Sequence, residues 1–387
     1  MDYGLGFSII SPMKSLKILF VVFCVTVAVL PSTAGALPVA GLYSHEVGVS
    51  NQSEQERNRA FQESLAAVIV KVTGEYRWLE NSSIQLALEN AQNFVEGIEY
   101  RSESVPVETV DQVADNIEPA VPAPTPTFTE QQFLNVSFAQ VLVDQLLADA
   151  AIPVWDSNRP SVLVWMALQN DAGERNLLSP ESDPGIIELM QQFAVLRGVP
   201  IIFPVLDFED RRALSADMIW SLDDQAIRAA SERYAADSIL TGRLLITASG
   251  ELVGLWQFIF QDQIEVFDSL DTELTSYIND PLERVTSQLA SHFAVVPSRQ
   301  GTETALLRIE GVNNLAAYAE LVAYLQELVM VDSVTVSALN GEVLDLNLSL
   351  QGSQGQLFEL LSLDRNLTLL ESAGLTGSQV LRYRWAR

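Results

Sequence analysis

Residues 334–350 read VTVSALNGEVLDLNLSL. Leu344, Leu346, Leu348 and Leu350 alternate with polar residues, the period of a half-buried strand. Val334 and Val336 alternate in the same way with Thr335 and Ser337. Between the two runs, Asn340-Gly341 signals a type I′ hairpin turn, in which both central residues take positive φ. Working outward, residues 305–309 form an apolar strand pattern. Leu315, Ala319, Val322 and Leu325 mark the stripe of a helix that should face the leucine ladder. A second helix is predicted over 354–361 and a strand over 367–370. The order β-α-β-β-α-β is the split, ferredoxin-like arrangement, and residues 303–371 are expected to fold as an independent unit. A tail strand follows, with Leu381, Tyr383 and Trp385 on one face and Arg382 and Arg384 on the other.

The polar stretch 298–303 separates this unit from a middle block, 157–297, that alternates helices and strands. SVLVWMAL at 161–168 is an apolar run suited to a buried strand. A helix is predicted over 184–196, with Ile187, Met190 and Leu196 near one face. A second strand is predicted over 200–206, with Pro204 marking its end or an edge. Then come a helix opened by Ser221-Leu222-Asp223-Asp224 and running to Tyr234, a strand over 237–246, and a hairpin turning at Gln261-Asp262. A long helix over 274–295 closes the block. Helices and strands followed by a meander imply a mixed sheet with helices packed on it.

The first block, 37–156, opens with a strand over 41–49. Ser53-Glu54-Gln55-Glu56 forms a capping box ahead of Phe61, Leu65, Val68, Ile69 and Val72, which share a helix face ended by Gly74. A second helix is predicted over 84–95, then a strand over 98–102. Residues 105–130 carry five prolines, several acids and no basic residue. Such a stretch is a solvated loop or tether. The alternation at 133–138 allows a strand that pairs with the one near residue 100, which makes the acidic tract a hairpin loop. A helix over 139–151 ends at Pro153-Val154-Trp155. The fold class expected from these blocks is α+β, three small modules with mixed sheets.

Ahead of them, ILFVVFCVTVAVL at 18–30 follows Lys14 and Lys17 and precedes Ala34-Gly35-Ala36. This order is that of a cleavable signal peptide over 1–36. Its apolar run is shorter than the ~20 residues of a spanning helix. Phe23 before Cys24 does not fit a lipid-attachment signal, and cleavage removes the chain's one cysteine. Lys71 is then the only lysine that remains.

Lysine and arginine number 22 against 50 acids, a net charge of −28. That balance argues against a nucleic-acid footprint and against a polybasic membrane patch. One cysteine and two histidines exclude a disulfide framework, a cysteine-rich zinc site and an iron–sulfur cluster. No glycine-rich phosphate loop, H-E-x-x-H, G-x-S-x-G or S-x-x-K stands where chemistry would need it. His45 and His292 are far apart in sequence with no partner spacing, so packing or surface roles are expected. The pairs Glu209-Asp210 and Asp223-Asp224, and Asp262 with Glu265, follow from the abundance of acids. Asp223-Asp224 suits a helix first turn. Trp165 and Trp256 are expected in the core, and Trp155 in the core or half exposed. No catalytic, cofactor-binding or metal-ligating residue is nominated, and no cofactor is expected.

Several short words carry a family resemblance: Glu56-Arg57-Asn58-Arg59-Ala60, Val70-Lys71-Val72-Thr73-Gly74, Ile152-Pro153-Val154-Trp155 with Arg159-Pro160, Val162-Leu163-Val164-Trp165, and Tyr234 to Arg243. Together they resemble an uncharacterised bacterial family of secreted proteins, the domain of unknown function numbered two thousand and sixty-six. The resemblance implies a periplasmic protein with no assigned activity. The first block also resembles the amino-terminal domain of a flagellar assembly protein. Ala236-Asp237 with Gly242-Arg243, and the meander after them, resemble the amino-terminal domain of TolB and related envelope lipoproteins, which are binding and scaffolding modules.

The expectation is a periplasmic, non-enzymatic cell-envelope protein acting through contacts with another envelope protein, with no nucleic-acid partner and no membrane span after signal cleavage. Two rivals stay open: a carboxylate-based hydrolase of envelope polymers, and a small-ligand binding protein.

Overall fold

The computed structural model describes residues 39–106, 128–170, 172–296, 303–364, 366–371 and 380–386. The expected signal segment and residues 107–127 of the acidic tract lie outside them. β1 (Ser44–Val49) leads into α1 (Glu54–Thr73). The Ser53 hydroxyl accepts the Glu56 N–H, while the Glu56 carboxylate accepts the N–H of Ser50, not that of Ser53. The cap is therefore one half of the expected box. Gly74 ends α1 at φ +78. A Cβ there would lie 2.2 Å from the Ala290 Cβ, so glycine serves both the turn and a close approach.

α2 (Ser82–Glu89) is shorter than expected, because a 3-10 turn at Ala91–Phe94 intervenes before β2 (Val95–Pro106). β2 pairs antiparallel with β3 (Phe128–Phe138), from Val95–Phe138 to Pro106–Phe128. The acidic tract thus links the two strands of one hairpin. The sheet order is β1-β3-β2. Leu65, Val68, Ile69 and Val72 of α1 pack on Leu134 and Val136, with Val143 and Leu147 of α3 (Gln140–Asp149) completing the cluster.

The second sheet runs β5 (Arg175–Leu177), β4 (Val162–Gln169), β7 (Ser238–Ile246), β8 (Leu252–Phe260) and β9 (Gln263–Asp271), with β6 (Ile201–Ile202) paired on β4. β4 (Val162–Gln169) is buried on both sides, which explains its unbroken apolar run. Val162, Val164 and Met166 face one core cluster, and Leu163, Trp165 and Ala167 face another. β5 (Arg175–Leu177) is a short antiparallel edge. In α4 (Pro184–Arg197) the buried face is Ile186, Ile187, Met190 and Phe193, while Leu196 turns outward, contrary to expectation. The strand expected over 200–206 contracts to β6 (Ile201–Ile202), because Pro204 cannot donate to a ladder.

α5 (Phe208–Ala213) and α6 (Ala216–Trp220) are too short to display a helical period in sequence. Asp207 and Ser215 cap them, signals that periodicity alone passed over. α7 (Asp224–Ser231) starts from Asp223, whose carboxylate accepts the Ala226 N–H. β7 (Ser238–Ile246) is parallel to β4, whereas β8 (Leu252–Phe260) and β9 (Gln263–Asp271) continue antiparallel. Their hairpin turns at Gln261-Asp262 as expected. α8 (Leu274–Phe293) packs Tyr277, Ile278, Leu282, Val285 and Leu289 into the first cluster, and α6, α7 and the Leu206 and Leu214 flanks of α5 cover the opposite face.

The third sheet holds β10 (Glu303–Glu310), α9 (Leu315–Glu327), β11 (Val331–Asn340), β12 (Val343–Leu350), α10 (Gln354–Ser362), β13 (Leu367–Glu371) and β14 (Val380–Trp385) in sequence. All four ladder leucines of β12 are fully buried, at roughly 1.5–3 kcal/mol each. They meet Ala317, Leu321 and Leu325 of α9 and Leu357 and Leu360 of α10. The predicted stripe was rotated: Leu315 is 80% exposed, and Ala319 is exposed as well.

The turn is also displaced by one residue. Asn340 pairs with Val343, so the central residues are Gly341-Glu342. Only Gly341 has positive φ, the pattern of a type II′ turn and not I′. The tail strand departs most from expectation. The order is β11-β12-β10-β14-β13, so β14 lies between β10 and β13, parallel to the first and antiparallel to the second. Among the described residues β13 has no ladder partner except β14, so residues 303–371 are not a complete sheet. Leu381, Tyr383 and Trp385 do share the buried face.

The segment 152–159 joins the three sheets. Val154 exchanges both backbone hydrogen bonds with Val295, and the Trp155 N–H reaches the Val72 carbonyl at 2.8 Å. The Asp156 carboxylate accepts the Val329 N–H at 2.8 Å, and the Asn158 amide donates to the Leu360 carbonyl. Arg159 lies 4.2 Å over the Trp155 ring and donates to the carbonyls of Lys71, Arg197, Gly198, Asp156 and Trp155. Arg197 donates to the Gly74 carbonyl and pairs with Glu283. The two arginines therefore occupy the carbonyl-rich ends of α1 and α4, where helices leave acceptors unfilled and favour a cation.

Candidate functional site

Two clefts flank the strand entry at Val39–Ser44. The larger, about 880 Å³, lies between β1 and α4. Lys71 lies in its wall, on the last turn of α1, because the apolar face of that helix turns the residue inward. Its ammonium donates to the carbonyls of Ser44 at 3.0 Å and Gly41 at 3.3 Å. Burial, with Arg159 as a lesser cause, pushes its pKa down to about 8. His45 lines the same cleft, and burial, then Lys71, lowers its pKa. Val195 and Leu196 supply an exposed apolar wall.

The second cleft, about 760 Å³, lies between α3 and the chain entering β11. The Tyr43 hydroxyl donates to Asp144 at 2.6 Å. Burial raises the pKa of Tyr43, and also those of Asp144 and Asp156. A carboxyl so raised holds a proton more readily, a property general acids need. Asp156, however, already accepts the N–H groups of Val329 and Asn158 and the Ser157 hydroxyl.

The residues weighed in the sequence are dispersed. His292 contacts Glu359 at 2.7 Å and packs against Phe260 and Phe293, tying α8 to α10. The Glu209-Asp210 pair is split. Glu209 is exposed, whereas Asp210 is buried and accepts from the Leu206 N–H, Tyr234 and Arg233. Glu265 is held by Arg284 and Gln288. Trp165, Trp256 and Trp155 are all fully buried.

Sequence reasoning missed Arg159, Asp156 and Lys71. Lys71 carried a signal, as a lone lysine closing an apolar helical run. Arg159 and Asp156 acquire meaning through contacts tens of residues away.

A family model described as Domain of unknown function (DUF8605) matches residues 36–156. This span takes in the first sheet and ends in the joining segment. It is an uncharacterised family, but not the one numbered two thousand and sixty-six, and the likeness to TolB finds no support. No curated protein matches the chain. Among the described residues, no helix is long and apolar enough to cross a membrane.

Proposed function

We propose that this chain is an exported, periplasmic, non-enzymatic protein of the bacterial cell envelope that acts through contacts with another envelope protein. One observation carries the reading: the buried charged groups of the joining segment make all their hydrogen bonds to the backbone except one, from the Ser157 hydroxyl to Asp156. Arg159 fills five carbonyls, and Asp156 accepts from Val329 and from its own loop. Their work is to fix three sheets in one frame, which suits a rigid scaffold. Large apolar side chains stand outside that frame, among them Phe208 at 79% exposure and Val205 at 73%.

A carboxylate-based hydrolase is the second reading, favoured by Asp144 and Asp156 lining one cleft with raised pKa values. It is weaker because Asp156 is already committed to its hydrogen bonds. Photo-crosslinking in cells, with a probe amino acid at Phe208, tests the first reading. A discrete adduct with one envelope protein is the expected outcome. Turnover of an envelope polymer by purified 37–387 protein, abolished by Asp144→Asn, would overturn it.

A further inference from the structure

Natural sheets guard their outer strands by shortness, bulges or charge, because an open edge pairs with other chains. Six of the seven outer strands among the described residues follow that rule or are brief, β6 with two residues being the shortest. β5 has three residues and β1 six. β2, β11 and β13 each carry a register shift. β9 differs: it runs for nine residues with no shift, and among the described residues its backbone pairs in a ladder only with β8. The Phe260–Gln263 pair closes a two-residue hairpin, so it is hydrogen-bonded, and bonded pairs alternate from there. The backbone groups of Ile264, Val266, Asp268 and Leu270 consequently point away from β8.

The same four residues share one side-chain face. Leu270 is 68% exposed and Val266 51%, and Ile264 is also exposed. Val253 of β8, opposite Leu270, extends the apolar strip. The strip continues the face whose inner part, Ile239 and Ile259, is buried under α6, α7 and the flanking Leu206 and Leu214. Asp268 stands in its middle, with no hydrogen bond or ion pair among the described residues.

We propose that β9 is a docking edge, on which an extended segment of a basic partner protein adds as a seventh strand. Its apolar side chains lie against Ile264, Val266 and Leu270, and a lysine or arginine lies opposite Asp268. This rests on the contact reading above and names the partner's chemistry. Charge selects the occupant. A second copy would bring together two chains of net charge −28. Antiparallel pairing of two β9 strands centred on Phe267 would also set Asp268 against Val266 and strand both carboxylates. A basic strand instead pairs the carboxylate while covering the apolar face, so Asp268 admits one class of partner and rejects neutral edges.

The test uses the 37–387 protein and a capped, fluorescent nonapeptide, Thr-Val-Thr-Lys-Thr-Val-Thr-Val-Thr, with a control carrying Glu for Lys. Anisotropy should show saturable binding of the Lys peptide and at least about tenfold weaker binding of the Glu peptide. Asp268→Lys, at an exposed site, should reverse that preference. Amide exchange at Ile264, Val266, Asp268 and Leu270 should slow on binding. Equal affinity for both peptides, no saturation up to about 1 mM, or protection confined to other strands would overturn the proposal. So would sedimentation showing that the chain pairs with itself through β9. Failure here together with a crosslink to an envelope protein elsewhere sinks the docking edge and leaves the contact reading standing.

Discussion

The carboxy-terminal sheet and the segment 152–159 hold the molecule together by opposite means. In the sheet, each leucine of β12 is one interchangeable unit of burial, and its partners lie at regular offsets. In the segment, a few polar side chains each make contacts that nothing else in the chain could replace. A sheet of the first kind should absorb damage gradually. A joint of the second kind should fail abruptly.

The sharpest way to break that contrast is to stop the chain after Glu371. This removes Leu381, Tyr383 and Trp385 from the core and leaves β13 without a ladder partner. A loss on the order of 5 kcal/mol or more is expected, seen in urea unfolding as a missing or separately melting sheet. Unchanged cooperative unfolding would show that β14 is dispensable. Next comes Arg159→Met, which keeps apolar bulk over Trp155 but leaves five buried carbonyls unfilled. About 3–5 kcal/mol should be lost, measured from the denaturation midpoint. A cost below ~1 kcal/mol would demote the joint to ordinary packing.

Gly341→Val should cost about 1–3 kcal/mol through strain at positive φ, because a Cβ there meets nothing within 4 Å. Thr335→Ser, on an exposed position of β11, should cost less than about 0.5 kcal/mol. Equal effects of the two would remove the turn from the account.

The remaining effect is one of pH. Below about 8 Lys71 is charged in both folded and unfolded chains, so its burial penalty is constant. Above that value the folded chain releases the proton, while the unfolded chain keeps it up to the ordinary 10.5. Wild-type protein should therefore gain stability relative to Lys71→Met as pH rises through this window. Paired urea titrations at both ends of the window would check the sign.

What could be read in advance follows the same division. Period-two alternation in Leu344–Leu350 and the three- and four-residue spacing of Leu65, Val68 and Val72 are local facts, and both gave the right element and face. The stripe on α9 came out rotated because that helix is apolar nearly all round, so spacing alone admits several faces. Gly341 marked the turn but not its register, since Asn340 fits a strand end as well as a turn centre. Arg159 stands in the sequence only as part of a short family word, before a proline, with nothing to mark its partners. Its five carbonyls come from residues 71, 155, 156, 197 and 198, a set that exists only once the chain has folded.

The position of β14 has a consequence for how the protein is made. It is synthesised after both of the strands that it separates, so β10 lacks one neighbour and β13 its β14 partner until it emerges. The sheet cannot close outward from a finished hairpin. It must admit its last-made strand between earlier ones, a non-local step that delays folding. For a chain exported as we propose, that delay would keep this region threadable until its closing strand has been made.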